Sequence, residues 1–190
     1  WWADVTPEKK SALFVKKGVY VYGGPSVKYR GIFLNDEAFG LQPWAAKTYE
    51  PETGDIGPKT YARIFELLLR LKANYIWPAM KKCTKAFNYY DKNKFVADDY
   101  AIVMGSSHCE QMLRDNIFEW PQYGSGSWDY TANKDGVLKY WEKRVSENGR
   151  FENIYTLGMR GIDDTGMPGG GTLDEQTRRL EEIISAQRDM

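Results

Sequence analysis

The feature that most constrains this chain is a recurring order. Four times a short apolar run stops at polar, chemically capable residues, and helical patterns fill the intervals. The runs are Ile32-Phe33-Leu34 before Asn35-Asp36-Glu37, Tyr75-Ile76-Trp77 before Pro78, Ala101-Ile102-Val103-Met104 before Gly105-Ser106-Ser107-His108, and Ile154-Tyr155-Thr156-Leu157 before Gly158-Met159-Arg160. Short apolar runs alternating with helical segments are the pattern of a parallel sheet, because parallel neighbours require a crossover. In parallel α/β folds ligands sit outside the carboxyl ends of the strands. The polar ends of the four runs therefore predict a single ligand-binding face.

The intervals fit this scheme. After the first strand, predicted over 27–34, more than twenty residues containing Pro43, Trp44, Pro51, Gly54 and Gly57 precede a helix that opens at Pro58. A loop of that length in a compact domain is usually functional or disordered, and its aromatic residues argue for order. Proline at a first-turn position costs no hydrogen bond, and Tyr61, Ile64, Phe65, Leu68 and Leu71 then share one face. A second strand is predicted over 74–77, a short helix over 93–99, a third strand over 101–104 and a further helical stretch over 110–118. Another helix follows over 133–148, with Leu138, Trp141 and Val145 inward and Gly149 as its stop. The fourth strand comes next. Beyond a glycine-rich connector, Thr172 and Glu175 have capping-box spacing, and Leu173, Leu180, Ile183 and Ile184 give the last helix its apolar face. Residues 1–26 read as a lead-in hairpin or linker, with Val19 to Tyr22 broken by Gly23-Gly24-Pro25.

Composition removes several classes of function. Lysine plus arginine equals aspartate plus glutamate, 26 each, so no net field recruits nucleic acid or an anionic membrane. Apolar runs stop far short of the ~20 residues that span a bilayer, and the N-terminus lacks a signal-peptide pattern. Cys83 and Cys109 have no paired spacing, so a zinc site is not expected; two free thiols are, with a disulfide between them the alternative in an oxidising compartment. The sequence Pro168-Gly169-Gly170-Gly171 lacks the flanking residues of a phosphate cradle, which argues against a nucleotide. Ser107-His108 is not a hydrolase pair, because adjacent turn residues point apart and no nucleophile elbow is present.

The strand ends carry the remaining chemistry. Asn35-Asp36-Glu37 offers a carboxylate that could orient a sugar hydroxyl or act as a base, against the plainer reading of a turn or cap. His108 is the only histidine; a lone histidine is more often structural, yet one at a strand's carboxyl end is placed to touch a ligand. Glu110 follows closely. Arg160 stands near Asp163 and Asp164, so a guanidinium able to grip a carboxylate lies beside two acids, one of which could activate water. The competing reading is an internal ion pair. Trp44 and Trp77 could stack on a sugar, although core packing suits Trp77 better because it lies within its strand.

The stretches WWADV, PSVKYRGIFLNDE, IGPKTYARIFELLLRLKANYIWPAM, ADDYAIVMGSSHCEQML and IYTLGMRGIDD resemble glycoside hydrolase family 115, the xylan α-1,2-glucuronidases. This resemblance implies the end of a preceding α/β domain near Tyr22 with a linker, over 1–26, then over 27–190 the first four β/α units of a (β/α)8 TIM-barrel. It implies inverting release of glucuronic acid or its 4-O-methyl ether from glucuronoxylan, with no cofactor and no metal, in a secreted or periplasmic parent protein. By the same resemblance Asp36 and Asp164 match catalytic acids, with Asp164 preferred to the adjacent Asp163 as the water-activating base. Arg160 and His108 match substrate-binding positions, Arg160 facing the uronate, and Asn35, Trp77, Glu110 and Asp163 complete the set. The general acid lies further along the family's chain, so this chain is expected to be a fragment, inactive until the remainder of the barrel or a second copy completes it. The rival expectation is a non-catalytic carbohydrate-binding or scaffold half-barrel.

Overall fold

A computed structural model describes residues 8–35 and 37–190. Its sheet is parallel and, among the described residues, three-stranded: β1 (Gly31–Phe33), β2 (Tyr75–Trp77) and β3 (Val103–Met104), in that spatial order. Ile32 pairs with Ile76 and Phe33 with Trp77, and across the next ladder Ile76 pairs with Met104. Side chains alternate across a strand, so this register sorts the sheet into two faces. Ile32, Ile76 and Met104 pack with Tyr61, Ile64, Phe65 and Leu68 of α2 (Pro58–Arg70) and Ala97 of α3 (Lys92–Asp99). Phe33, Tyr75 and Trp77 occupy the opposite face, where they are half-buried.

The long interval before α2 is folded. It contains α1 (Leu41–Trp44), one turn of π-helix (Ala45–Tyr49) and a stacked Trp44–Tyr49 pair. It also delivers Glu50, whose buried carboxylate accepts hydrogen bonds from the amides of Gly57, Lys59 and Thr60 and from Thr60 Oγ1 at 2.9–3.1 Å. Those amides are the orphan donors of the first helical turn, and the anion lies at the positive end of the helix dipole. Gly57 itself supplies no capping side chain.

A second core surrounds α5 (Lys134–Asn148) and α6 (Leu173–Arg188). Val137, Tyr140, Trp141 and Ile183 pack there with Met112, Met159, Trp128, and Trp120 of α4 (Glu119–Tyr123). Thr172 and Glu175 form the expected reciprocal capping box at the head of α6. In the first turn of α4 the buried Glu119 carboxylate is held by Arg114, 2.9 Å away, and by Arg144.

Four expectations need correction. Of the hairpin and linker alternatives for the lead-in, the hairpin is not formed over the described residues: residues 8–30 carry no helix or strand, and Leu13, Phe14, Val15, Val19 and Val21 are exposed, so the first strand also shrinks from 27–34 to β1. The helix expected over 110–118 is instead a kinked turn, Gln111–Leu113, with α4 after it. Met112 and Leu113 have φ of 55° and 57°, and the Met112 amide bonds the Thr156 carbonyl at 2.9 Å, so a tertiary bond replaces the helical one. The fourth run contributes a single parallel bridge, Met104 to Asn153. Because the chain turns at Gly105-Ser106, the next segment has no ladder to continue; Thr156 Oγ1 bonds the Ser106 carbonyl at 2.7 Å instead. Finally, Leu71, Leu173 and Leu180 are exposed, the first just beyond the end of α2 and the other two on α6.

Candidate active site

The ends of β3 and of the fourth segment meet. His108 enters on the turn after β3, which is laced by Gln111 Nε2 to the His108 carbonyl, Glu110 N to the Ser107 carbonyl at 3.1 Å and Ser106 Oγ to the Glu110 carbonyl at 2.5 Å. Arg160 enters just beyond Gly158, where φ is +103°, a conformation that side chains other than glycine's resist. Gln187 of α6 clamps that glycine through both its amide and its carbonyl, at 2.7 and 2.8 Å, and Trp128 Nε1 donates to the Arg160 carbonyl at 2.8 Å. The helix layer thus fixes the chain at the point where it presents its charge.

Asp164 receives both neighbours. Its carboxylate lies 2.6 Å from Arg160 Nη2 and 3.3 Å from His108 Nε2. His108 first, then the Arg160 charge, hold this carboxyl below the ordinary aspartate range. Asp163 and Asp164 have φ of 57° and 62°, left-handed values that aspartate tolerates better than most residues. Consecutive residues so placed turn their carboxylates apart: Asp163 pairs with Lys82 of the loop after β2 at 2.6 Å, while Asp164 pairs with Arg160. All four of these side chains are substantially exposed.

The other expected residues are placed as follows. Asn35 is exposed at the end of β1. Asp36 lies outside the described residues. Glu110 is buried and lines a cavity of about 10 Å³ with Pro78, Gly105 and Ser106, room for a single water at most. The Trp77 indole donates to Tyr75 Oη at 2.7 Å and meets Phe33 edge-on, so its ring is engaged within the sheet face. Sequence reasoning passed over Lys82 and Cys109. A ring nitrogen of His108, Cys109 Sγ and an Asp164 oxygen all lie within 4.8 Å of one another, a spacing that a cation could use. Arg160 already supplies positive charge to that carboxylate, and burial pushes the Cys109 thiol up to about 11, so both groups oppose a metal.

What such a cluster can do is hold one carboxylate ionised while leaving guanidinium donors for a second anion. The family model for glycosyl hydrolase family 115 matches residues 22–190. The chain belongs to that family. A solved relative in the same family, described as "a novel family GH115 4-O-Methyl-alpha-glucuronidase, BtGH115A, with specificity for decorated arabinogalactans", is 49% identical with a TM-score of 0.89. The match covers 100% of this chain and 25% of the relative, so the chain spans about a quarter of the relative's length. No curated protein matches the chain.

Proposed function

We propose that this family 115 chain forms the uronate-binding and water-activating part of an α-glucuronidase that releases glucuronic acid, or its 4-O-methyl ether, from a polysaccharide. The observation that carries the reading is the Asp164 carboxylate between Arg160 and His108, where the ends of β3 and of the fourth segment meet. Asp164 takes the proton of a water that attacks the anomeric carbon. Only one terminal nitrogen of Arg160 is spent on Asp164, and the guanidinium has five N–H donors, so the rest can grip the sugar carboxylate. Asp163, turned to Lys82, borders the site and is the less suited base.

An inverting reaction needs a second carboxyl roughly 6.5–9.5 Å away to protonate the leaving oxygen, with a water between. We assign that acid to residues beyond these 190 and the 27–190 segment to the first units of a (β/α)8 barrel, with Phe33, Tyr75 and Trp77 on the lumen side. The parent enzyme works outside the cell, where such polysaccharides are met. Among the described residues no helix is long and apolar enough to cross a membrane. The leaving polysaccharide is glucuronoxylan, or, as the relative's description favours, a decorated arabinogalactan.

The test is to incubate a protein of the relative's full length with both polysaccharides and follow the sugar by proton NMR. Initial appearance of the β-anomer from an α-linked substrate, abolished by Asp164→Asn, supports the reading; retention of configuration, or an active Asn variant, overturns it. The rival reading is a carbohydrate-binding or scaffold piece. It requires sugar binding without turnover in the full-length protein. The 190-residue chain alone is expected to release no uronic acid until the remainder is supplied in trans.

A further inference from the structure

We propose that Cys109 is a positioning residue for Asp164, its thiol acting as the third donor to the carboxylate beside His108 and Arg160. This rests on the reading of Asp164 as the water-activating base. His108 and Asp164 have side chains about half exposed, whereas Cys109 is buried. The sulfur therefore approaches the carboxylate from the protein side and leaves the solvent side to water and substrate. With Sγ within 4.8 Å of an Asp164 oxygen, an S–H donated to that carboxylate favours its ionised form.

Two features fit a donor better than a nucleophile. Burial pushes the thiol up to about 11, so the proton stays on sulfur through neutral pH, and an inert S–H can only donate. The backbone around it is also fixed from within. Asn116 Nδ2 reaches the Cys109 carbonyl at 3.4 Å and Gln111 Oε1 at 3.3 Å, while Gln111 Nε2 bonds the His108 carbonyl. Both amide side chains are buried. These bonds set where the sulfur sits without contact with the reacting atoms, so the arrangement is independent of substrate. A thiol is a weak donor, but an ionised acceptor strengthens the bond and shortens its range of orientations. The consequence is a carboxylate confined to one rotamer, with a lone pair aimed at the attacking water.

The experiment uses the full-length protein and an oligosaccharide bearing 4-O-methyl-glucuronic acid that the wild type cleaves. The kcat and kcat/KM are measured against pH for Cys109→Ala, Cys109→Val, Cys109→Ser and Asp164→Asn. Removing a donor that favours the ionised form must move the acidic limb to higher pH, by about half a unit or more, and lower kcat about tenfold with KM little changed. The valine variant fills the space without donating, so it must show the same limb shift as alanine. Serine, which keeps a donor, must restore the limb. An unchanged acidic limb in the valine variant, with Asp164→Asn inactive, overturns the positioning role alone. An active Asp164→Asn enzyme overturns the base assignment on which it rests.

Discussion

Glu50→Ala isolates how a loop residue holds the first core together. The Glu50 carboxylate bonds three amides at the head of α2 and the hydroxyls of Thr53 and Thr60, and it is almost fully buried. Gly57 permits the approach, since a Cβ there would stand 2.5 Å from Glu50 Oε1. A hydrogen bond to a charged group contributes about 1.5–3 kcal/mol, and loss of an ordinary N-cap costs about 1 kcal/mol. The bonds share one acceptor and water can enter the vacated space, so they do not add. A cost of about 3 kcal/mol is the reasoned figure, equivalent to roughly a hundredfold in an opening equilibrium. Glu50→Gln keeps the shape but turns an amide N–H toward donors, and about half that cost is expected. Hydrogen exchange resolved by residue in the folded protein reads this directly. The amides of Gly57, Lys59 and Thr60 must lose protection about a hundredfold in the alanine variant and about tenfold in the glutamine variant. Because α2 supplies Tyr61, Ile64, Phe65 and Leu68 to the core, amides in β1 and β2 should follow. Loss of less than threefold at the three capped amides would refute the reasoning, since it would mean that the helix needs no acceptor at that end.

Gly31→Ala places a Cβ 1.8 Å from the Tyr75 carbonyl oxygen, which is backbone and cannot rotate away, so the β1–β2 ladder must part. A drop in stability of about 2–3 kcal/mol by chemical denaturation is expected, and a wild-type midpoint would disprove the close approach. Asp115 is pushed up to about 7, chiefly by burial, and its Oδ2 is buried without a hydrogen-bond partner while Oδ1 accepts from Ile117 and Phe118. A carboxyl raised in the folded state gives stability that is complete below its ordinary 3.8 and fades as pH climbs through 7. Asp115→Asn should remove that decline, so its melting temperature relative to wild type must rise between pH 5 and 8; a constant difference would count against the burial argument. Asp164 shifts the other way. His108→Ala removes the largest influence holding it down, and the acidic limb of the full-length enzyme's pH profile must move to higher pH.

Much of the candidate site was legible because the strand-end rule is blind to detail. His108, Arg160 and Asp164 each follow an apolar run, and a parallel sheet brings consecutive strand ends to one side whatever the loops between them do. Glu50 and Cys109 gave no such sign. Glu50 is seven residues before the glycine amide it caps, outside the three-residue spacing of a capping box. Cys109 had no metal-type spacing to Cys83 and read as a free thiol, since nothing in a linear chain reveals that its sulfur lies beside a carboxylate fifty-five residues on. The helix expected over 110–118 failed for a related reason: local pattern cannot anticipate that the Met112 amide bonds Thr156 across the fold.

Sequence by itself determined the elements whose cause is local. The face of α2, the capping box of α6 and the parallel order of β1, β2 and β3 follow from spacing, because periodicity and capping act over a few residues. Tertiary structure alone decided which acid meets which base. Two neighbouring aspartates with left-handed backbones diverge, Asp163 toward Lys82 and Asp164 toward Arg160 and His108. That choice depends on the loops after β2, after β3 and after the fourth segment converging in space, and electrostatic pairing falls off over a few ångströms that only the folded chain brings within reach.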